Sequence, residues 1–88
     1  MPGEGRVERC LEVLRLASTL GRVKRDELVS ATTILGIQAE EAGVCIEWLE
    51  SGGLARIDES EHVVVTLKGK RVLREIALSI AGWSEGAS

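Results

Sequence analysis

Residues 36–54, GIQAEEAGVCIEWLESGGL, hold the pattern that decides the fold of this 88-residue chain. A tight turn at residues 36–37 leads into a helix predicted over residues 38–51, and the glycine pair 52–53 ends this helix. At about 100° of rotation per residue, most of its apolar side chains gather on one side, while Val44 points almost directly away. The inward set consists of Ala42, Cys45, Ile46 and Leu49.

Two helices are predicted before this segment. The first covers residues 6–20, because apolar residues recur there at positions i, i+3, i+4 and i+7, and Gly21 follows as a C-terminal cap. The second covers residues 25–35 and has two acidic residues in its first turn, where they favour the helix dipole. Val23 forms a very short strand between them. The expected inward side chains are Val7, Cys10, Leu11, Leu14 and Ala17 in the first helix and Leu28, Val29, Thr32 and Leu35 in the second.

Two strands and a last helix are predicted after the quoted segment. The strands cover residues 54–58 and 62–67, and the acidic loop 58–61 joins them into a hairpin. The last helix runs from residue 67 or 68 to residue 81, where Gly82 is expected to end it. The predicted division is a flexible N-terminal tail at residues 1–5, one folded domain at residues 6–82 and a C-terminal tail at residues 83–88.

Three motifs in this order resemble those of the winged helix-turn-helix family. GIQ at residues 36–38 matches the turn before a recognition helix, and LESGGL at residues 49–54 resembles the family's Leu-x-x-x-Gly-Leu. VTLKG at residues 65–69 resembles the Leu-Thr-x-x-Gly that closes the hairpin and opens the final helix. The resemblance covers about residues 6–80. It implies an α+β winged helix-turn-helix with a three-helix core, a β-hairpin wing and a C-terminal helix.

The chain is similar to regulators of the multiple-antibiotic-resistance type, whose third helix enters the major groove while the wing lies along a phosphate strand. The resemblance therefore implies DNA binding as a transcriptional regulator. The wing, however, is the acidic loop 58–61, and the third helix has no Lys or Arg. Because phosphates repel carboxylates, a DNA contact requires another face. The groove-facing positions that the resemblance implies are Glu40, Glu41, Val44, Glu47 and Trp48.

Two basic clusters are candidates for such an atypical DNA-binding face. The first lies before the second helix and the second lies at the start of the last helix. The alternative is that each cluster is a solvated, charge-balanced surface. Neither cluster contains the aromatic residues of a single-strand or RNA platform. The candidate residues are Arg22, Lys24 and Arg25 in the first cluster and Lys68, Lys70 and Arg71 in the second.

Val44 and Trp48 lie one turn apart on the third helix and could together form an apolar anchor for a protein partner. Tryptophan is favoured at the centre of protein interfaces, and Glu40, Glu41 and Glu47 would form an acidic rim. Other winged-helix domains are protein-docking modules in transcription, replication and membrane-remodelling assemblies. This chain resembles those modules, which implies a protein partner as the alternative to DNA. The alternative is that Trp48 folds over the hairpin into the core.

Charge and apolar content lead to expectations about the cellular location and the oligomeric state of the protein. The net charge of -3 supplies no general field for polyanions. A charged helix directly follows the N-terminus and no apolar run approaches the roughly 20 residues of a membrane span, so a cytoplasmic protein without membrane insertion is expected. A second apolar stripe on the first helix predicts a homodimer. The stripe is Val13, Leu16 and Leu20, with Leu78 and Trp83 added near the C-terminus.

Cys10 and Cys45 fall on helical core faces and are interpreted as reduced, small apolar side chains. A disulfide between them is the alternative. It gains support if the source is a thermophile, which the absence of Asn and the single Gln suggest.

The sequence predicts no catalytic, cofactor-binding or metal-binding residues, and hence no enzyme. His62 is the only histidine and has no zinc spacing with the two cysteines. The acidic residues match no calcium loop, and no strand–elbow–helix surrounds a Ser or Cys nucleophile. Glycine-rich phosphate loops are also missing from the sequence.

Overall fold

The computed structural model describes the backbone of residues 2–87 and the side chains of residues 7–78. Over this part of the chain the fold is α+β, with four helices and a three-stranded antiparallel sheet, in the order that the sequence predicts. The elements are α1 (Pro2–Leu20), β1 (Val23–Lys24), α2 (Arg25–Ile34), α3 (Ala39–Ser51), β2 (Ala55–Ile57), β3 (His62–Val65) and α4 (Leu67–Ala87).

The two terminal helices are longer than the sequence predicts. Helix α1 begins at Pro2 rather than at residue 6. Helix α4 continues to Ala87, so the expectation that Gly82 ends it is wrong. A glycine inside a helix costs only about 1 kcal/mol relative to alanine, which neighbouring turns can offset. The predicted role of Trp83 lies outside the described side chains.

Helix α1 is the centre of the packing, because it contacts α2, α3, α4 and β3. Its two apolar stripes therefore do not have separate roles. Val13, predicted to face a dimer partner, is fully buried with Leu14 and Ala17, and this assignment is corrected. Leu16 is half-buried and Leu20 is exposed. Val7 is also exposed, so the prediction that it faces inward is wrong.

The inward face predicted for α3 is confirmed, since all four of its side chains are buried. The prediction for Leu35 on α2 is wrong. Helix α2 ends at Ile34, and Gly36 with a φ of 86° turns the chain so that Leu35 is exposed and Ile37 enters the core. A positive φ of this kind is accessible to glycine at little cost.

Cys10 and Cys45 form a disulfide bond, so the interpretation of both as reduced cysteines is wrong. The bond joins α1 to α3, with a Cα–Cα distance of 4.8 Å, and both residues are buried. Apolar spacing alone could not distinguish the two states, because a cystine and two packed thiols occupy the same inward positions.

The end of α3 places the hairpin and α4. Leu54 N donates to Leu49 O at 2.8 Å and Gly53 N donates to Glu50 O at 3.0 Å, which returns Leu54 to the core as predicted. Thr66 N then donates to Leu54 O, and Thr66 Oγ1 accepts from Gly69 N at 3.1 Å as the N-cap of α4. A Cβ at Gly69 would overlap the Leu54 carbonyl, so this close approach requires glycine.

Candidate nucleic-acid interface

The outer face of the sheet carries cations from two different strands. The strand order is β1-β3-β2, and Lys24 pairs with His62 while Arg56 pairs with Val64. Paired residues point to the same face, and Val63 and its strand neighbour Val65 point into the core. Lys24 and Arg56 therefore both lie on the face that turns away from the core.

Arg22 and Lys70 border the same face. They line a shallow cavity of about 240 Å³ with Val64, between the end of α1, the sheet and α4. The two basic clusters, separated by more than forty positions in the sequence, thus each contribute a cation beside Val64. We call Arg22, Lys24, Arg56 and Lys70 the basic sheet face.

Asp58 lies on this face, but one of its carboxylate oxygens accepts hydrogen bonds from backbone N–H groups of the hairpin. Its Oδ1 accepts the backbone N–H groups of Ser60 and His62, each at 2.9 Å, and its Oδ2 accepts Arg22 Nε at 3.0 Å. The His62 hydrogen bond is the main reason that the pKa of Asp58 is lowered, with further contributions from Arg22 and Ser60 against partial desolvation. His62 Nδ1 lies 3.6 Å from Asp58 Oδ1.

One carboxylate thus offsets one of the four cations. Arg22 Nη2 is 2.8 Å from Asp58 Oδ2. Among the described side chains, no carboxylate lies within ion-pair distance of Lys24, Arg56 or Lys70, and all three are exposed. The basic sheet face therefore keeps an excess of positive charge although the chain as a whole is acidic.

The other predicted cations have different surroundings. Arg25 is half-buried, its guanidinium lies beside Gly43 of α3, and its Nε is buried with no hydrogen-bond partner among the described residues. Lys68 Nζ donates to Gly52 O at 2.8 Å and so caps the end of α3. Arg71 is exposed on α4. The structure thus brings Arg22, Lys24 and Lys70 together and gives Arg25 and Lys68 packing and capping contacts.

Arg56 is the residue that the sequence reasoning missed. It stands alone between Ala55 and Ile57, so it belongs to no basic run. A signal existed, because in a strand the residue between two inward apolar positions points outward. Only the pairing with β3 shows that this outward position shares its face with Lys24.

The third helix presents an apolar surface with acidic neighbours. Val44 and Trp48 are exposed, and they line a small cavity of about 120 Å³ together with Val7 and Cys10 of α1. The alternative that Trp48 folds over the hairpin into the core is wrong, because Trp48 is exposed and the other residues of this cavity lie on α1 and on α3 itself. Glu41 accepts a hydrogen bond from Arg9 Nη1 at 2.8 Å, which raises the pKa of Arg9.

These two surfaces present charged and apolar side chains to the solvent. Within the part of the chain that the structure describes, no group of three or more His, Cys, Asp or Glu side chains could hold a metal ion. Of the helices described, none has both the length and the apolar character needed to cross a bilayer. Comparison of the chain with protein-family models, curated proteins and solved structures finds no match.

Proposed function

We propose that this protein is a non-enzymatic winged-helix module that binds duplex DNA through the basic sheet face, as a small transcriptional regulator. The fold is compatible with the winged-helix arrangement, since the three core helices are followed by a hairpin and a C-terminal helix. The observation that carries the proposal is the register of the sheet, which sets Lys24 and Arg56 on one outer face beside Arg22 and Lys70.

The spread of these cations suits a phosphate backbone. Neighbouring strands lie about 4.8 Å apart, and residues two apart on a strand are separated by about 6.7 Å. Because Lys24 pairs with His62 and Arg56 pairs with Val64, the two cations are separated by roughly 12 Å across β3. Phosphates follow each other at about 3.4 Å of helix axis along each strand of a duplex. The basic sheet face can therefore reach more than one phosphate. It has no ordered array of base-reading side chains, so the proposed binding is weakly sequence-specific and strongly salt-dependent.

The absence of cations on α3 supports a DNA contact through the basic sheet face rather than through this helix. Its exposed surface carries Glu40 and Glu47 and no cation. A duplex that approached α3 in the usual winged-helix manner would meet carboxylates, which the phosphate backbone repels. The DNA contact proposed here leaves α3 turned away from the duplex.

A charge-reversal pair tests the proposal. Arg56→Glu changes the basic sheet face, whereas Arg15→Glu makes the same change on α1 beside a different cavity, between α1 and α4. Binding to a labelled duplex of about 30 base pairs is measured by fluorescence anisotropy at 50 and 200 mM salt. We expect Arg56→Glu to weaken binding several-fold and Arg15→Glu to leave it close to wild type. Equal losses for both variants would show only a general charge effect and would overturn the proposal.

A further inference from the structure

Helices α1 and α3 share an exposed apolar surface that the proposed DNA contact does not use. Val7 is 44% exposed, Val44 is 46% exposed and Trp48 is 44% exposed. Together with Cys10 they surround the cavity of about 120 Å³. We call Val7, Val44 and Trp48 the α1–α3 patch. It has no residue in common with the basic sheet face, so the two proposals stand independently.

The patch has the composition of an interaction site. Tryptophan is among the residues most often found at the energetic centre of protein interfaces, where a pocket excludes water around it. Here Trp48 borders a cavity of about 120 Å³ that a partner side chain could fill. Contiguous exposed apolar patches with a polar rim commonly mark protein-binding surfaces, and the three side chains here adjoin one another around the cavity.

Carboxylates lie along one side of the patch. At about 100° per residue, Glu40 and Glu47 are displaced from Val44 by roughly 40° and 60° in the same direction around α3. Both are exposed, and neither has an ion-pair partner among the described side chains. On the opposite side, Glu41 is held by Arg9. The rim that a partner meets beside Val44 is therefore negative.

We propose that the α1–α3 patch binds a basic amphipathic segment of another protein. One large aliphatic side chain of the partner enters the cavity between Val44 and Trp48, and Lys or Arg residues on its flank face Glu40 and Glu47. This is the mode in which an amphipathic helix lays its apolar face on a groove, with charge complementarity fixing its orientation.

Charge distinguishes this partner from the alternatives. A second copy of the chain, docked by the same surface, would place its own Glu40 and Glu47 against the first pair. DNA would meet the same carboxylates without any cation on α3. A basic segment alone gains from both the apolar contact and the charges.

The disulfide joins the two helices that form the cavity. Cys10 lines the cavity and is bonded to Cys45, the neighbour of Val44 in the sequence. The two walls of the cavity, one on α1 and one on α3, are therefore covalently joined. A preformed pocket lowers the ordering cost of binding, which helps a patch of only three exposed apolar side chains.

The test uses three synthetic helical peptides of about 18 residues, or five turns. One has Leu on one face and Lys on the other, the second has Glu in place of Lys, and the third has Ser in place of Leu. The protein carries Trp83→Phe, so that Trp48 is the single tryptophan. We expect the Leu/Lys peptide to shift Trp48 emission to the blue, and to bind at least about tenfold more tightly than the other two.

Variants locate the binding on the patch. Val44→Lys should weaken the binding of the Leu/Lys peptide by about tenfold or more. Ile34→Lys adds the same charge at an exposed apolar site on α2 and should leave binding unchanged. An unchanged melting temperature shows that Val44→Lys is folded. If it is not folded, Val44→Ser replaces it, with a smaller loss expected in the same direction.

Several results would overturn the proposal. These are absence of binding by the Leu/Lys peptide, equal binding of the Leu/Glu peptide, and equal effects of Val44→Lys and Ile34→Lys. A sedimentation result would also overturn it. If the wild-type chain forms an oligomer and Val44→Lys is a monomer, the patch is an interface between copies of this chain. A failure of the DNA test leaves all of these readouts unaffected, because they involve neither DNA nor the basic sheet face.

Discussion

Asp58 connects the tip of the hairpin to the start of β1 through its bonds to Ser60, His62 and Arg22. The sequence predicts it as one of three carboxylates at the wing tip. In the structure it is half-buried, and its carboxylate accepts hydrogen bonds from the turn and from Arg22. Glu59 and Glu61 are the carboxylates that remain exposed at the tip.

A pH dependence follows from the lowered pKa of Asp58. The folded chain holds this carboxylate ionised to a lower pH than the unfolded chain does, so its contribution is present above the ordinary pKa of about 3.9 and is lost as pH falls through the folded value. Chemical unfolding between pH 7 and pH 3 measures it. We expect Asp58→Asn to lower stability at pH 7 and to show a smaller loss on acidification. Glu59→Gln, in the same turn, is the control, and an equal effect from it would contradict the assignment.

Single side chains also show where sequence reasoning stops. The inward set of α3 and the outward position of Val44 follow from helical rotation and are confirmed. Trp48 could not be placed in the same way, because its side chain lies on the flank and the cavity beside it includes residues of α1 as well as Val44. Arg56 required the pairing of β2 with β3, which depends on the whole hairpin.

At the scale of elements, the junction between hairpin and α4 depends on Gly69. This residue is the third position of α4 and lies against the Leu54 backbone. A side chain there has no flexible neighbour to displace, because the nearest atoms are a carbonyl group and Val65.

Two glycine substitutions should therefore have opposite effects. Gly69→Ala should lower the free energy of unfolding by about 1–3 kcal/mol through overpacking. Gly43→Ala, inside α3, meets only the end of the Arg25 side chain at 3.7 Å, so it should raise stability by up to about 1 kcal/mol through helix propensity. Denaturant midpoints decide this, and a stabilising Gly69→Ala would contradict the described packing.

Elements were predicted better than their ends. The order of helices and strands followed from apolar periodicity, two glycine-rich stops and the β-branched run of β3. The ends of α2 and α4 did not follow from these signals. At Leu35, Gly36 turns the chain one residue earlier than apolar spacing indicates, and at Gly82 the cost of one glycine is small enough for a helix to continue. The prediction for Val13 failed for a related reason, since periodicity cannot show how many elements surround a helix.

At the scale of the whole molecule, the disulfide closes a loop of 35 residues that contains most of the helical core. By restricting the unfolded chain, a cross-link of this span contributes about 3–4 kcal/mol to the free energy of unfolding. We expect a dithiol reductant to lower the denaturant midpoint of the wild-type chain accordingly. The Cys10→Ala/Cys45→Ala variant should not respond to the reductant; a response in both proteins would assign the effect to something other than this bond.

Self-association remains a prediction, and the structure changes the residues that test it. Val13 is not available, but Leu20 and Leu78 are exposed on the terminal helices. We expect a homodimer in sedimentation experiments at high micromolar concentration, and Leu20→Glu with Leu78→Glu should disperse it. Leu67→Glu alters an exposed leucine at the start of α4 and should not. A wild-type chain that sediments as a monomer would refute the prediction.

The position of the Cys10–Cys45 bond also determines how the molecule responds to mechanical force. When the chain is pulled from its two ends, the bond carries the load past residues 10–45, and this segment cannot extend. At about 3.4 Å per residue, the oxidised molecule is shorter at full extension by roughly 120 Å than the reduced one. Stretching therefore extends the hairpin and α4 while the loop that contains α2 bears no force, so the fully extended length of the chain depends on whether the two cysteines are oxidised.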